Sequence, residues 1–302
     1  MAVAAAACRR APSSLPDLAP PRPPLGAAHS RNEIDRRQAQ LAAEAARLPP
    51  SLRAVIVPRL RILATVSVTE GGFDGVATRA GDRAASLGIF QWAMSRKRTV
   101  DDASSLWRLF HDLKRRAARC DVSAECKLYR HAWRQCRAAG LTVAHNILRL
   151  HNKPANGGAI ERALQPAMAT GALRTYQLVA ANDWVERIAA QPVHLTATEL
   201  TTVGALLRSE RALATAVLLG VNRPAYVVPA LERAVTGVAL DDDDALISAL
   251  RREALARYTP DERDRRAMRL LTSDAAFLTR DEARGLATGE SLPRSAGFEQ
   301  GE

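Results

Sequence analysis

The chain has 302 residues, a formal net charge of +11, and 47% hydrophobic but only 4% aromatic residues. This length and apolar content can form a real core, which excludes a wholly disordered chain and a small protein held together by disulfides. No uncharged apolar run approaches the roughly 18 residues of a membrane-spanning helix, so the sequence predicts no membrane partner.

The positive charge comes almost entirely from arginine, because all but four of the 43 basic residues are Arg. Such a bias reflects a GC-rich genome as much as selection for binding. The charge favours anionic partners, either nucleic acid or an acidic cell-wall polymer. The basic runs at Arg115–Arg116 and Arg263–Arg266 lack the interleaved aromatic residues of a nucleic-acid platform, which makes nucleic acid the less favoured partner.

Residues 1–30 are rich in Ala, Pro and Ser and show neither helical nor strand periodicity, which predicts a disordered leader. The apolar stretch Ala2–Ala7 is too short for the hydrophobic part of a secretory signal, and no basic residue precedes it. We therefore expect synthesis in the cytoplasm without a signal peptide.

From residue 32 onward, apolar residues recur at spacings of three and four, which is the pattern of amphipathic helices. The fold class is therefore predicted to be mainly α, with a helical domain over 31–240 and a C-terminal helical extension with a flexible tail over 241–302. Only residues 73–95 break the pattern, and their glycines indicate loops and at most a very small sheet. The predicted helices are 33–48, 51–70, 103–119, 123–139, 141–152, 158–169, 171–191, 197–219, 224–236, 242–257, 260–272 and 280–287.

The cysteines Cys8, Cys120, Cys126 and Cys136 fit neither a zinc site nor a paired CxxC framework. They are predicted to be free and mostly buried thiols. The acidic run Asp241–Asp244 is best explained as a helix N-terminus that complements the helix dipole. The sequence therefore predicts neither a metal site nor a cofactor.

One carboxylate continues an apolar stripe. Ile56, Leu60, Leu63 and Val66 lie on one helix face, and Glu70 takes the next place on that face at the C-terminal end of the helix. Burial and the negative end of the helix dipole both raise a carboxyl pKa, which is what a general acid requires. The alternative is a solvated Glu70 at a capped helix end.

The residues after Glu70 combine glycines with polar side chains. Gly71 and Gly72 are predicted to end the helix through a left-handed turn. Further glycines would let the backbone approach a ligand, although the aspartates can equally serve to build turns. The polar side chains of this loop are Asp74, Thr78, Asp82 and Ser86.

The run Glu70-Gly71-Gly72-Phe73-Asp74, then Asp82 and Ser86-Leu87-Gly88-Ile89-Phe90-Gln91, resembles the active-site region of the lysozyme-like superfamily. That superfamily includes goose-type lysozymes, soluble lytic transglycosylases and helical chitosanases. A second match, Val221-Asn222-Arg223-Pro224, resembles bacterial and phage-associated members. The usual Glu-Ser pair is Glu-Gly here and no Ala-Tyr-Asn-Ala-Gly motif is present, so hydrolase and transglycosylase both stay open.

The resemblance implies a lysozyme-like helical domain that cleaves peptidoglycan or a related polysaccharide. Glu70 would protonate the glycosidic oxygen, and Asp82, with Asp74 as the alternative, would act as the second carboxylate. Phe73 or Trp92 would stack on a sugar ring, although Trp92 can equally be a core residue. Asn222 can equally be a helix cap. The implied substrate-binding residues are Asp74, Thr78, Ser86, Gln91, Trp92 and Asn222.

Two other functions are consistent with the sequence. One is a non-catalytic helical component of a phage or contractile-injection particle that binds the cell wall, and the other is an arginine-rich protein that binds nucleic acid. A wall-cleaving enzyme without a signal peptide would reach the wall after lysis, by injection or on a particle.

Overall fold

A computed structural model describes residues 27–77, 83–95, 106–138, 140, 165, 168–222 and 224–256. Within these residues the chain is mainly α-helical, as its periodicity predicts. The helices are α1 (Ala27–Ala45), α2 (Pro50–Ile56), α3 (Leu60–Glu70), α4 (Leu106–Arg119), α5 (Ala124–Ala138), α6 (Gly171–Ala189), α7 (Val203–Leu206), α8 (Glu210–Asn222), α9 (Val227–Ala234) and α10 (Asp243–Ala256). The strands are β1 (Val76–Ala77), β2 (Arg83–Leu87), β3 (Trp92–Ser95), β4 (Pro192–His194) and β5 (Leu200–Thr202).

Several predicted segments fall partly or wholly outside the described residues. The helix α1 begins at Ala27, so the last residues of the predicted leader are helical, while residues 1–26 lie outside the description. The predicted helices 141–152, 260–272 and 280–287 and nearly all of 158–169 also lie outside it.

The helix predicted over 51–70 is divided into three parts. A short 3₁₀ helix, Val57–Arg59, separates α2 from α3. Pro58 explains the division, because proline lacks the N–H that an α-helix needs and its ring crowds the preceding turn. The predicted apolar stripe is confirmed, since Ile56, Leu60, Leu63 and Val66 are all buried. Helix α3 packs against α1 and α8.

A three-stranded antiparallel sheet follows α3 directly, in the order β1-β2-β3. Val76 pairs with Leu87, and Leu87 pairs with Trp92. The turn between β2 and β3 contains residues 88–91, so it lies in the segment that the sequence assigns to loops and a very small sheet. The sheet therefore connects the end of α3 to a tight turn.

Helix α6 is buried along most of its length and packs against α1, α2, α5 and α8. The C-terminal helix α10 joins the same hydrophobic core through Leu246, Ile247 and Leu250. Residues 243–256 therefore share a core with the helices that precede residue 240. No helix among the described residues is long and apolar enough to cross a membrane.

The predicted helix 197–219 is wrong in its first part. Strands β4 and β5 form a hairpin there, and α7 and α8 follow as separate helices. The Thr196 hydroxyl accepts hydrogen bonds from the N–H groups of Thr198 and Glu199, which builds the hairpin turn. Thr202 then caps α7 by accepting from the N–H of Ala205.

The prediction of free thiols is wrong for two cysteines, because Cys120 and Cys126 form a disulfide across the turn between α4 and α5. The turn brings their Cα atoms to 5.3 Å. Ser123 donates its N–H to Asp121 and accepts from the N–H of Cys126. Cys136 is a buried free thiol, and burial raises its pKa to about 12.

Candidate active site

Glu70 is the last residue of α3, and it is only 8% exposed. It continues the buried stripe of the helix, so the prediction that this carboxylate lies on the apolar face is confirmed. The buried Ser67 hydroxyl, one turn earlier, donates to the carbonyl of Ala64. The Glu70 carboxyl group is therefore held at the C-terminal end of a helix, at the edge of the core.

The helix does not end as the sequence predicts. Gly71 has φ 170°, which is extended backbone, and its N–H donates to the carbonyl of Ser67 at 2.8 Å. Among the described residues of this region, the left-handed ones are instead Gly88, with φ 78°, and Gln91, with φ 49°. Both belong to the turn between β2 and β3.

A side chain at Gly71 is disfavoured by close packing rather than by its φ angle. A Cβ atom at this position would stand 2.6 Å from Nε2 of Gln91 and 3.2 Å from the carbonyl oxygen of Gly88. A Cβ atom on Gly75 would lie 3.4 Å from the same Nε2 atom. The structure thus brings the side chain of Gln91 against the residue that follows Glu70.

The Gln91 side chain is 7% exposed and only partly satisfied. Its Nε2 donates to the carbonyl of Gly88 at 3.1 Å. Its Oε1 is buried and has no hydrogen-bond partner among the described residues. Burying an unpaired acceptor costs roughly 1–3 kcal/mol.

Two further candidate residues, Ser86 and Asp74, differ in their burial. Ser86 is buried in β2, where it pairs with Ala77 and Ala93 in the sheet. Asp74 is exposed in the turn that precedes β1. The charge of Asp74 acts on Arg37 of α1. Burial lowers the pKa of the Arg37 guanidinium, and the carboxylates of Glu33 and Asp74 offset part of this shift.

The two aromatic residues proposed to stack on a sugar are both in the core. Trp92 is 4% exposed, and its ring stacks on Phe90 at 6.0 Å between centroids. Phe73 is also buried, and the guanidinium of Arg174 covers its ring at 4.8 Å. For Trp92 the structure therefore agrees with the alternative of a core residue.

Three of the residues that the resemblance implies cannot be located in the site. Thr78 and Asp82 lie outside the described residues, and so does the side chain of Asn222. The backbone of Asn222 forms the last residue of α8. The described part of the site therefore consists of Glu70, the glycines beside it, Ser86 and Gln91.

Sequence reasoning missed Gln177, a fully buried residue of α6. Its Nε2 donates to the carbonyls of Phe73 and Met168, at 2.9 and 3.1 Å, and its Oε1 accepts from the N–H of Ile89 at 3.2 Å. A signal was present, because Gln177 stands four residues after the buried Leu173 and thus on the apolar face of its helix.

An ion-pair cluster around the buried Glu44 supports the same region from α1 and α6. Glu44 is 5% exposed, and its Oε1 lies 2.9 Å from Nε of Arg174. Its Oε2 lies 3.2 Å from Nη1 of Arg47. Arg174 therefore pairs with Glu44 and also covers the ring of Phe73. These contacts connect Phe73, three residues after Glu70, to α1 and α6.

Among the described residues there is no group of three or more His, Cys, Asp or Glu side chains that could hold a metal ion. The chain matches no family model, no curated protein and no solved structure.

Proposed function

We propose that the protein cleaves the glycan strands of peptidoglycan, with Glu70 as the general acid of a lysozyme-like domain. One observation carries the proposal: a buried carboxylate ends α3, a small antiparallel sheet follows at once, and the turn of that sheet places the Gln91 amide against Gly71. A helix that ends in Glu beside a turn that carries Gln is the arrangement implied by the sequence resemblance.

The proposal assigns proton donation to Glu70, which is only 8% exposed and ends α3. Such an acid protonates the glycosidic oxygen while the bond breaks through an oxocarbenium-like transition state. The proton passes to the leaving sugar, and Glu70 becomes a carboxylate.

The second carboxylate is proposed to be Asp82, with Asp74 as the alternative. A separation of about 6.5–9.5 Å from Glu70 would leave room for a water and give inversion, whereas about 5 Å would favour retention. Attack by the 6-hydroxyl group of the cleaved sugar itself, with loss of its proton to the second carboxylate, would replace attack by water and make the enzyme a transglycosylase. The products of the reaction distinguish these cases, because a transglycosylase releases anhydro sugars.

The Gln91 side chain is proposed to hold the sugar by a hydrogen bond. Asp74, Thr78, Ser86 and Asn222 complete the set of proposed substrate-binding or supporting residues. The net charge of +11 would hold the protein near anionic wall polymers. Lysis, injection or carriage on a particle would bring it to the wall.

The proposal is tested by a zymogram on bacterial cell walls and on chitosan with the wild type and the Glu70→Gln variant. Clearing by the wild type and its loss in the variant are expected, because the amide has no acidic proton to transfer to the glycosidic oxygen. Glu210→Gln is the matched control, since Glu210 is also a buried glutamate. Arg61, whose charge acts on Glu210, lies at the start of α3, whereas Glu70 ends that helix. Clearing should therefore persist in the Glu210→Gln variant.

Two results would contradict the proposal. Full clearing by the Glu70→Gln variant would show that Glu70 is not the general acid. A wild type that clears no wall and no chitosan would remove the enzymatic function, and retention of the protein by insoluble walls would then support a non-catalytic wall-binding component.

A further inference from the structure

We propose that Gln177 is a positioning residue that holds the Glu70 and Gln91 segments in register, an inference that rests on the proposed function. Gln177 belongs to α6 and has no exposed surface. It is far from both segments in sequence, yet its side chain bonds to the backbone of each.

The hydrogen bonds of Gln177 use both ends of its amide. Both N–H groups can be engaged, because Nε2 donates to the carbonyls of Phe73 and Met168, and Oε1 accepts from the N–H of Ile89. Hydrogen bonds between buried groups are strong in a low-dielectric interior, and a partner left unpaired there is costly. This amide therefore fixes three backbone positions at once.

Two of these positions flank the candidate site. Phe73 lies three residues after Glu70, and Ile89 lies two residues before Gln91. The backbone also joins the two segments through the N–H of Gly88, which donates to the carbonyl of Gly75 at 2.8 Å. Gln177 anchors this joined pair of turns to the buried helix α6.

Gly88 shows how closely Gln177 approaches the turn. A Cβ atom on Gly88 would collide with Oε1 of Gln177 and would stand 2.9 Å from Cζ3 of Trp92. Gly88 also has φ 78°, which a residue with a side chain adopts only with strain. The turn that carries Gln91 is thus shaped to receive the Gln177 amide.

The consequence for catalysis is geometric. A general acid and the groups that bind its substrate must be held within a fraction of an ångström, and a displacement of about 1 Å can lower the rate about a hundredfold. Gln177 does not contact the reacting atoms in this proposal. It acts by holding the backbone that carries Glu70 and Gln91.

The test uses the full chain and two variants, Gln177→Met and Gln177→Glu. The first keeps the side-chain volume and removes all three hydrogen bonds. The second keeps an acceptor for Ile89 and loses the donors to Phe73 and Met168 until its carboxyl group is protonated. Both are assayed on soluble peptidoglycan glycan strands, with kcat and KM determined separately.

For Gln177→Met we expect kcat to fall by about 10- to 100-fold, with KM changed by less than about threefold. For Gln177→Glu, the ratio of its kcat to that of the wild type should rise as the pH is lowered, because a protonated carboxyl group restores one donor. A merely structural role predicts no such recovery.

Asn182→Leu is the matched control. Asn182 is a buried amide on the same helix, but its partners are Arg59 and Glu186 rather than the two turns. This variant should be destabilised while its kcat, measured well below its Tm, stays near that of the wild type. Equal losses of kcat in Asn182→Leu and Gln177→Met would overturn the positioning role.

Amide hydrogen exchange gives a readout that does not depend on catalysis. Exchange at the Ile89 N–H should accelerate by at least about tenfold in Gln177→Met, while amides in the middle of α3 keep their protection. Unchanged exchange at Ile89, or wild-type kcat in Gln177→Met, would overturn the proposal. A wild type that cleaves no glycan would end the proposed function, and the exchange at Ile89 would still decide whether Gln177 holds the turns.

Discussion

The side chain of Gln91 lies so close to Gly71 that a single methyl group would not fit between them. A Cβ atom at Gly71 would stand 2.6 Å from Nε2 of Gln91 and 3.2 Å from the carbonyl oxygen of Gly88. The two segments of the candidate site are thus in contact next to Glu70.

Gly71→Ala should therefore displace the Gln91 amide and break its bond to Gly88. We expect a loss of about 1–3 kcal/mol in the free energy of unfolding, from crowding rather than from backbone strain. Urea denaturation measures it. The matched control is Gly171→Ala at the start of α6, where a Cβ meets nothing within 4 Å. That variant should be neutral or slightly stabilising, and equal losses at both positions would contradict the packing argument.

The ion pair between Arg59 and Glu186 should be a major stabilising contact between the start of α3 and the end of α6. Nη1 of Arg59 lies 2.8 Å from Oε1 of Glu186, and the Arg59 side chain is 6% exposed. Arg59→Met removes one charge and leaves the other partly buried, which should cost about 3 kcal/mol in urea denaturation.

An exposed arginine provides the comparison for Arg59. The side chain of Arg47 is 62% exposed in its pair with Glu44. Arg47→Met should therefore cost less than about 1 kcal/mol, because solvent already screens that pair. Losses of similar size for the two variants would show that burial does not control the strength of these pairs.

The disulfide between Cys120 and Cys126 should stabilise the connection between α4 and α5. It closes a short loop, for which the chain-entropy model gives about 2 kcal/mol. A reductant should lower the Tm of the wild type and leave the Tm of the Cys120→Ser, Cys126→Ser double variant unchanged. If a reductant lowered the Tm of the double variant by the same amount, the decrease would not come from this disulfide.

The stability of the chain should depend on the ionisation of Glu210. Burial raises the pKa of the Glu210 carboxyl group, and the charge of Arg61 lowers it in part. The folded state thus holds the proton more tightly than the unfolded chain, so ionisation costs stability as the pH rises above the ordinary carboxyl pKa of 4.5. Its Oε2 is buried without a hydrogen-bond partner among the described residues.

Glu210→Gln removes this titration. Relative to the wild type, the variant should gain stability as the pH rises from about 4 to about 8, and the gain should vanish at the acidic end. Urea denaturation of both proteins across this range measures the difference. A difference that stays constant with pH, or that decreases as the pH rises, would contradict the role assigned to Glu210.

The errors of the sequence-based predictions have physical causes that can be traced to particular residues. The helix 197–219 was predicted from apolar spacing, but Thr196 builds a turn and Thr202 caps a new helix. The cysteine prediction relied on sequence motifs, whereas the disulfide depends on how the turn at Asp121 folds. In each case a local hydrogen bond decided the outcome.

The sequence by itself determined the mainly helical fold and the position of Glu70, because helical periodicity is local and the stripe from Ile56 to Val66 directs the next residue inward. It also located the irregular segment that forms the sheet. Only the tertiary structure decided that Gln91 rather than Gly71 is left-handed, that Trp92 belongs to the core, and that Gln177 joins the two turns. These features depend on contacts between residues far apart in the chain, which local patterns do not encode.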